Sequence, residues 1–331
     1  TMVTHLNPDR SMKAINPQWG EFTISPKAVV LAMGCREKSR FAIGIPGSRP
    51  AGVFTAGLAQ KLVNVDGYMP GEEFVILGSG DIGLIMARRL KWSGVDVPAV
   101  IEIMPYPGGL IRNIVQCLDD FQIPLYLSHT VTAIFGRDRV SGVEVAKLND
   151  DRQILEEGKF MLSCDTVLLS VGLIPENELS MDAGIKLSHI TNGPIVDSDL
   201  MTSVEGIFAC GNVLHVHDLV DFVCAEAERC AEGVGRYLER GPDYQHKLTR
   251  LLSGHNVRYV VPHQIDPRQE VVVFLRPLIV GRDVSLTVKA DGHRITRKKY
   301  RQVQPSEMIQ IPLTSEGIIG HREFPTRLEV C

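Results

Sequence analysis

The residues whose types and spacing could do chemistry begin with Gly78, Ser79, Gly80, Asp81, Ile82 and Gly83. They follow the apolar run Phe74-Val75-Ile76-Leu77 and lead into Leu84-Ile85-Met86-Ala87, so the order is strand, glycine turn, helix. In that order Gly78 lets the chain turn tightly, Gly80 leaves the backbone open to a pyrophosphate, and Gly83 lets the helix sit close to the strand. The helix N-terminus adds free N–H groups and a partial positive charge. A second apolar stretch, residues 97–104, carries Glu102. A carboxylate there accepts hydrogen bonds from ribose hydroxyls and repels a 2′-phosphate. This predicts binding of a dinucleotide, NAD(H) in preference to NADP(H). Asp81 belongs to the phosphate loop, but its charge opposes a pyrophosphate. It is expected to face solvent or to stabilise the helix N-terminus.

These residues need elements to hold them. The stretch Ala28-Val29-Val30-Leu31-Ala32 is continuously apolar, as expected for a strand deep in a parallel sheet, and it ends at Gly34. Before it, residues 1–26 read as a Pro-interrupted, hairpin-like stretch with a strand at Glu21-Phe22-Thr23-Ile24. A helix is expected near residues 55–65. Residues 71–175 form one unit that holds the fingerprint, the Glu102 strand, a helix over 109–121, and short strands near Leu125, Val131 and Val143. An apolar strand over 166–171 closes it and leads into Gly172. Ile195-Val196-Asp197 and Gly206-Ile207-Phe208-Ala209 read as two further strands, followed by a helix over 220–239. After Gly241-Pro242 the period changes to two, as in Val271-Val272-Val273-Phe274-Leu275, with a turn at Asp291-Gly292. This predicts a small antiparallel β domain.

The 331 residues suffice for two or three domains, and 44% hydrophobic with 22% charged content is that of an ordinary globular protein. A net charge of -4 argues against non-specific nucleic-acid binding. No apolar stretch is long enough to span a membrane, and no signal peptide is visible. Seven cysteines without a Cys-X-X-Cys spacing favour reduced thiols in a cytoplasmic protein. Cys210, Cys224 and Cys230 are expected to be buried small apolar residues. The basic run from Arg294 to Arg301 reads as an edge strand protected by its charges, with docking of an acidic partner as the other reading.

Three further motifs surround the fingerprint in a fixed order: Val29-Val30-Leu31-Ala32-Met33-Gly34, Ser170-Val171-Gly172-Leu173-Ile174-Pro175, and Gly206-Ile207-Phe208-Ala209-Cys210-Gly211-Asn212-Val213. Over residues 20–240 the chain thereby resembles the pyridine nucleotide-disulfide oxidoreductase superfamily of FAD- and NAD(P)-dependent flavoproteins. The stretch from Cys210 to Asp221 looks closest to companion flavoprotein subunits of glycerol-3-phosphate dehydrogenase-like and amine- or opine-oxidising complexes. The resemblance implies an α/β fold in which a Rossmann-like NAD(P)-binding domain, residues 71–175, is inserted in an FAD-binding domain, residues 1–70 and 176–244. Residues 245–331 form the C-terminal β domain. It also implies that Gly34, Gly211 and Asn212 hold the ribityl and flavin end of FAD. Gly172 closes the nucleotide unit, and the helix beginning near Asp221 aims its N–H groups at the flavin. His215, His217 and Asp218 could share a face as metal ligands do. The preferred reading is a loop packed beside the flavin site, with no metal.

Departures from the family shape the functional expectation. Only 33 residues precede Gly34, so the family's N-terminal FAD fingerprint is missing and the FAD site is expected to be incomplete. Without Cys-X-X-Cys, relay through a redox disulfide is unavailable. Asn212 replaces the usual Asp and can still hydrogen-bond a ribityl or phosphate oxygen. Met33 replaces the usual Thr, and Ile85 stands where many members carry Glu. The expected function is an FAD-dependent NAD(P)H oxidoreductase, or a subunit of one, that exchanges hydride between nicotinamide and flavin. Electrons then pass to an acceptor or to the subunit of a partner dehydrogenase. A homodimer is also allowed, and no catalytic residue is assigned. The alternative is a non-catalytic nucleotide-binding or partner-docking fragment.

Overall fold

The computed structural model describes residues 1–241, 248–319 and 327–331. The chain divides into two compact units, Glu37–Ile174 and the combined segments Thr1–Arg36 and Pro175–Cys331. The expected boundary between residues 244 and 245 lies outside the described residues.

The unit Glu37–Ile174 is built on five parallel strands in the order Val53–Thr55, Thr166–Leu169, Glu73–Leu77, Asp96–Glu102, Leu125–Leu127. Alternation along the central strand sends Phe74 and Ile76 to one face, where they pack with Leu84 and Leu90 of the helix Asp81–Trp92. Val75 and Leu77 go to the other face, against Val131, Val143 and Val145 of a three-stranded antiparallel sheet. Both faces are covered, so the strand's sequence is continuously apolar. The helix expected over 109–121 is the shorter helix Ile111–Cys117 followed by a 3-10 turn, Asp119–Phe121. The helix expected near 55–65 runs from Ala56 to Lys61 and continues as a π turn, Leu62–Asp66, that ends at left-handed Gly67.

The second unit opens with an antiparallel sheet of Met2–Leu6, Met12–Asn16 and Gly20–Ile24. Val29–Leu31 then pairs in parallel with Ile207–Ala209. Val29 and Leu31 are buried, but Val30 is 45% exposed, so this run is covered on one face and is not deep in a sheet as its sequence suggested. Residues 195–197 also depart from expectation: they form no strand, only the isolated bridge of Val196 with Thr202, next to one between Leu187 and Pro194. The cause is local. The Asp197 carboxylate accepts the N–H groups of Asp199 and Met201 and folds the backbone into a turn. The long helix Val220–Arg240 follows, with Asp221 in its first turn.

The C-terminal strands form two sheets. One has the order Gln264–Ile265, Thr249–Ser253, Arg327–Val330, Gly281–Ala290, His293–Val303; the other pairs Val257–Val261, Val271–Pro277 and Ile309–Leu313. Pairing is antiparallel except between Thr249–Ser253 and Arg327–Val330. The hairpin turns at Asp291 and Gly292, both left-handed as a tight two-residue turn requires. The basic run lies on His293–Val303, at the edge of its sheet. Arg276 ties these strands to the loop before the long helix: it pairs with Asp218 and donates to the Val216 carbonyl.

Candidate functional site

Strand Glu73–Leu77 ends in Gly78, whose φ of +96° suits a residue without Cβ. A Cβ there would lie 2.0 Å from the Ser170 carbonyl oxygen. At Gly83 it would meet the Gly78 oxygen and Ser170 Cβ at 2.8 Å, so the helix does sit hard against the strands. Gly80 differs: its φ is ordinary, it is the N-cap of the helix, and only Ser170 Oγ, at 3.3 Å, comes close to where its Cβ would be. Ser170 Oγ also accepts the Gly83 N–H at 3.1 Å. The sequence motif containing Ser170 was visible, but this use of its hydroxyl was not. Gly172, two residues further along that motif, is exposed with φ +99°, and its carbonyl accepts the Lys38 N–H.

Glu102 is buried at 6% exposure, and its carboxylate faces the loop. Oε2 accepts the Ser79 N–H at 2.9 Å and the Ser79 hydroxyl at 2.6 Å; Oε1 accepts the Met104 N–H at 2.9 Å. Ser79 Oγ in turn accepts the Gly108 N–H. Glu102 therefore fixes the shape of the glycine loop. Asp81 accepts the N–H of Leu110, the N-cap of helix Ile111–Cys117, and the Asn113 side-chain amide. Its charge serves a helix N-terminus, although that of a second helix. Among the described residues no acceptor faces the N–H groups of Gly80, Asp81 and Ile82.

In the other unit, Gly34 is left-handed with open space where a Cβ would be. Gly211 has φ +73° and donates its N–H to Glu226 at 2.6 Å. Asn212 follows, with its Oδ1 accepting the His217 N–H at 3.0 Å. Glu226, from the long helix, also accepts from His215 Nε2 at 2.8 Å and His217 Nε2 at 3.1 Å. All three side chains are buried. Burial alone would raise the Glu226 pKa, but the two histidine hydrogen bonds hold it down to about 2. Burial lowers the His215 pKa, which keeps that ring neutral. Nε2 of each ring faces the carboxylate, and Nδ1 of each ring is buried without a partner among the described residues. Three atoms of metal-ligand type thus lie within 4.8 Å of one another, yet the donors to Glu226 account for the arrangement. Asp218, grouped with the histidines by spacing, points elsewhere. It pairs with Arg276 and accepts the Met308 N–H. Glu226 was missed because a carboxylate on an amphipathic helix reads as solvent-facing.

None of the seven cysteines forms a disulfide. Cys210 and Cys230 are buried as expected, whereas Cys224 is exposed, because its position on the long helix faces away from the core. Burial pushes the Cys164 thiol up to about 12, so it is no nucleophile.

The sequence profile of the pyridine nucleotide-disulphide oxidoreductases matches residues 2–230. The chain belongs to that family. Among curated relatives, one of the subunits of opine oxidase from Agrobacterium tumefaciens (strain Ach5) is 26% identical over 201 residues, which is 57% of this chain and 39% of that protein. Rubredoxin-NAD(+) reductase of Acinetobacter baylyi is 30% identical over 225 residues, 62% of this chain and 53% of that protein. The chain thus spans about half or less of the length of these relatives. Among solved structures, T. acidophilum thioredoxin reductase aligns with TM-score 0.54 and 25% identity, covering 68% of this chain and 72% of that one. A FAD-dependent pyridine nucleotide-disulphide oxidoreductase from Desulfovibrio vulgaris aligns with TM-score 0.53 over 83% of this chain and 67% of that one. At 22% identity that likeness is one of fold. Family members are FAD- and NAD(P)H-dependent oxidoreductases. No helix among the described residues is long and apolar enough to cross a membrane.

Proposed function

We propose that this chain carries the nicotinamide-binding domain and part of the flavin-binding domain of an FAD-dependent NAD(P)H oxidoreductase, or of a subunit of one. The observation that carries this is Gly80 with its neighbours. Packing accounts for the glycines at 78 and 83, while a Cβ at Gly80 would meet only Ser170, and the N–H groups of Gly80, Asp81 and Ile82 make no hydrogen bond among the described residues. Such a cradle fits a pyrophosphate. In this reading Ser79 and Glu102 hold the loop, Glu102 discriminates against a 2′-phosphate, and Gly172 borders the nicotinamide end. On the flavin side, Gly34, Gly211 and Asn212 hold the ribityl and ring end of FAD. The Glu226 carboxylate keeps the Gly211 turn in its left-handed form, and the helix N-terminus at Asp221 faces the ring. When bound, the nicotinamide and flavin supply hydride exchange and onward electron transfer.

The reading divides the chain into residues 1–70 with 176–244 for flavin, 71–175 for the nicotinamide nucleotide, and 245–331 for docking a partner. The partner is a dehydrogenase subunit or a second copy, and the setting is the cytoplasm. The likeness to an opine oxidase subunit supports a multi-component system. A second reading, a nucleotide-binding fragment without turnover, draws on the flavin side. Among the described residues that side has a two-stranded parallel sheet and an Asn212 whose Oδ1 is already engaged. Visible absorbance of the purified protein, followed on adding NADH, separates the two. Flavin absorbance bleached by NADH supports the first; NADH binding by a colourless protein supports the second; failure to bind NADH overturns both.

A further inference from the structure

We infer that the free edge of strand His293–Val303 receives an extended acidic segment of a partner protein, which adds to the sheet as a further strand with carboxylates at alternate positions. The strand ends its sheet, with Gly281–Ala290 as its neighbour. Among the described residues no backbone group from outside that pair bonds to it. Its row of N–H and C=O groups is therefore open along one side. The strand is 11 residues long, whereas natural edges are mostly kept very short.

The charge on this edge is ordered. Leu286 and Val288 of the neighbouring strand pack in the core, so Ser285 and Thr287 mark the opposite, outward face. Lys299 lies across from Ser285 and Arg297 across from Thr287, which puts both on that face, and alternation adds Arg301. Arg297 donates to the Ser285 hydroxyl, as a shared face requires. Three cations thus stand in a line about 7 Å apart. All three are exposed, and none pairs with a carboxylate among the described residues. Keeping like edges apart needs repulsion only. A row at strand spacing also fits a partner: in an added strand the residues of one face stand directly opposite, within about 5 Å, so acids at every second position meet Arg297, Lys299 and Arg301. The open edge offers donors and acceptors in turn. A peptide strand matches both, whereas a phosphate backbone brings acceptors only, which selects a polypeptide over a nucleic acid. The inference rests on the docking role proposed above for residues 245–331 and names its surface and the partner's chemistry; it is independent of the nucleotide loop.

A blocked peptide of alternating Glu and Thr, as long as the strand, serves as the probe on the full chain, followed by calorimetry and two-dimensional NMR. One peptide should bind per chain and slow the hydrogen exchange of amides in His293–Val303. Arg297→Gln together with Lys299→Gln should weaken binding about fivefold, as the loss of two cross-strand ion pairs implies, with the melting temperature and NADH binding of the parent retained. The same peptide with Pro in place of each Thr keeps its charge but cannot join a ladder, and should bind about tenfold more weakly. Equal binding of the Pro peptide reduces the edge to an ionic patch and overturns the inference. Undiminished binding by the double variant overturns it too, as does tighter binding of oligothymidylate. No binding of the Glu-Thr peptide overturns this edge as a docking surface and leaves the nicotinamide reading standing, since that reading falls on loss of NADH binding by the parent.

Discussion

Glu102 and Glu226 are both buried, and each accepts three donors: Ser79 N–H, Ser79 O–H and Met104 N–H for the first, Gly211, His215 and His217 for the second. A carboxylate so placed sets the path of a backbone turn, because moving the turn would strand buried N–H groups. Glu102→Gln puts an NH₂ where an acceptor is needed. We expect a loss of about 1–3 kcal/mol in urea unfolding, together with a narrower preference for NADH over NADPH in calorimetry. Unchanged stability and preference would show that the carboxylate is incidental. Histidines give a pH signature of the opposite group. Burial pushes His263 down to about 4, and it also lowers His215, so both are neutral when folded at pH values where the unfolded chain would protonate them. The His263 contribution is fully present above the unfolded value near 6.5 and is lost as pH falls towards 4, and His215 acts in the same direction. For His263, stability should therefore drop by about 1 kcal/mol per pH unit over that window. Urea midpoints at pH 7.5, 6 and 5 check this, and His263→Gln should make the decline shallower.

At the scale of elements, the glycine loop separates two kinds of constraint. Gly78→Ala forces a Cβ into the Ser170 carbonyl at a left-handed φ, and should destabilise the chain by at least about 2 kcal/mol. Gly80→Ala meets only Ser170 Oγ and should leave the melting temperature nearly unchanged while weakening NADH binding tenfold or more. A Gly80→Ala protein that binds NADH as the parent does would remove the assignment of the loop. This loop was legible in the sequence because strand, turn and helix are contiguous, and glycine has few other reasons to recur at that spacing. The Glu226 cluster was not legible, since it joins a loop to a helix face that periodicity assigns to solvent. Ile195-Val196-Asp197 misled for a related reason: apolar β-branched residues announce a strand, but Asp197 captures its own neighbours' N–H groups first. Val30 shows that an apolar run reports the strand and not how many of its faces are covered.

At the scale of the whole molecule, each of the two units has its own apolar core, and the C-terminal strands share a unit with the segment around Gly211. Alternation predicted those strands well, because one face of each packs inward. It could not predict Arg276 reaching Asp218, which depends on where two distant loops meet. The outermost strand, His293–Val303, has a colloidal consequence. Its open row of peptide groups could recruit another strand, and Arg294, Arg297, Lys298, Lys299 and Arg301 keep like edges apart by repulsion. Repulsion of that kind fades once the Debye length falls to about 3 Å near 1 M salt. Sedimentation of the purified chain should therefore show association growing with ionic strength, the reverse of a contact held by ion pairs. Replacing Lys298 and Arg301 by Thr should bring that association down to low salt.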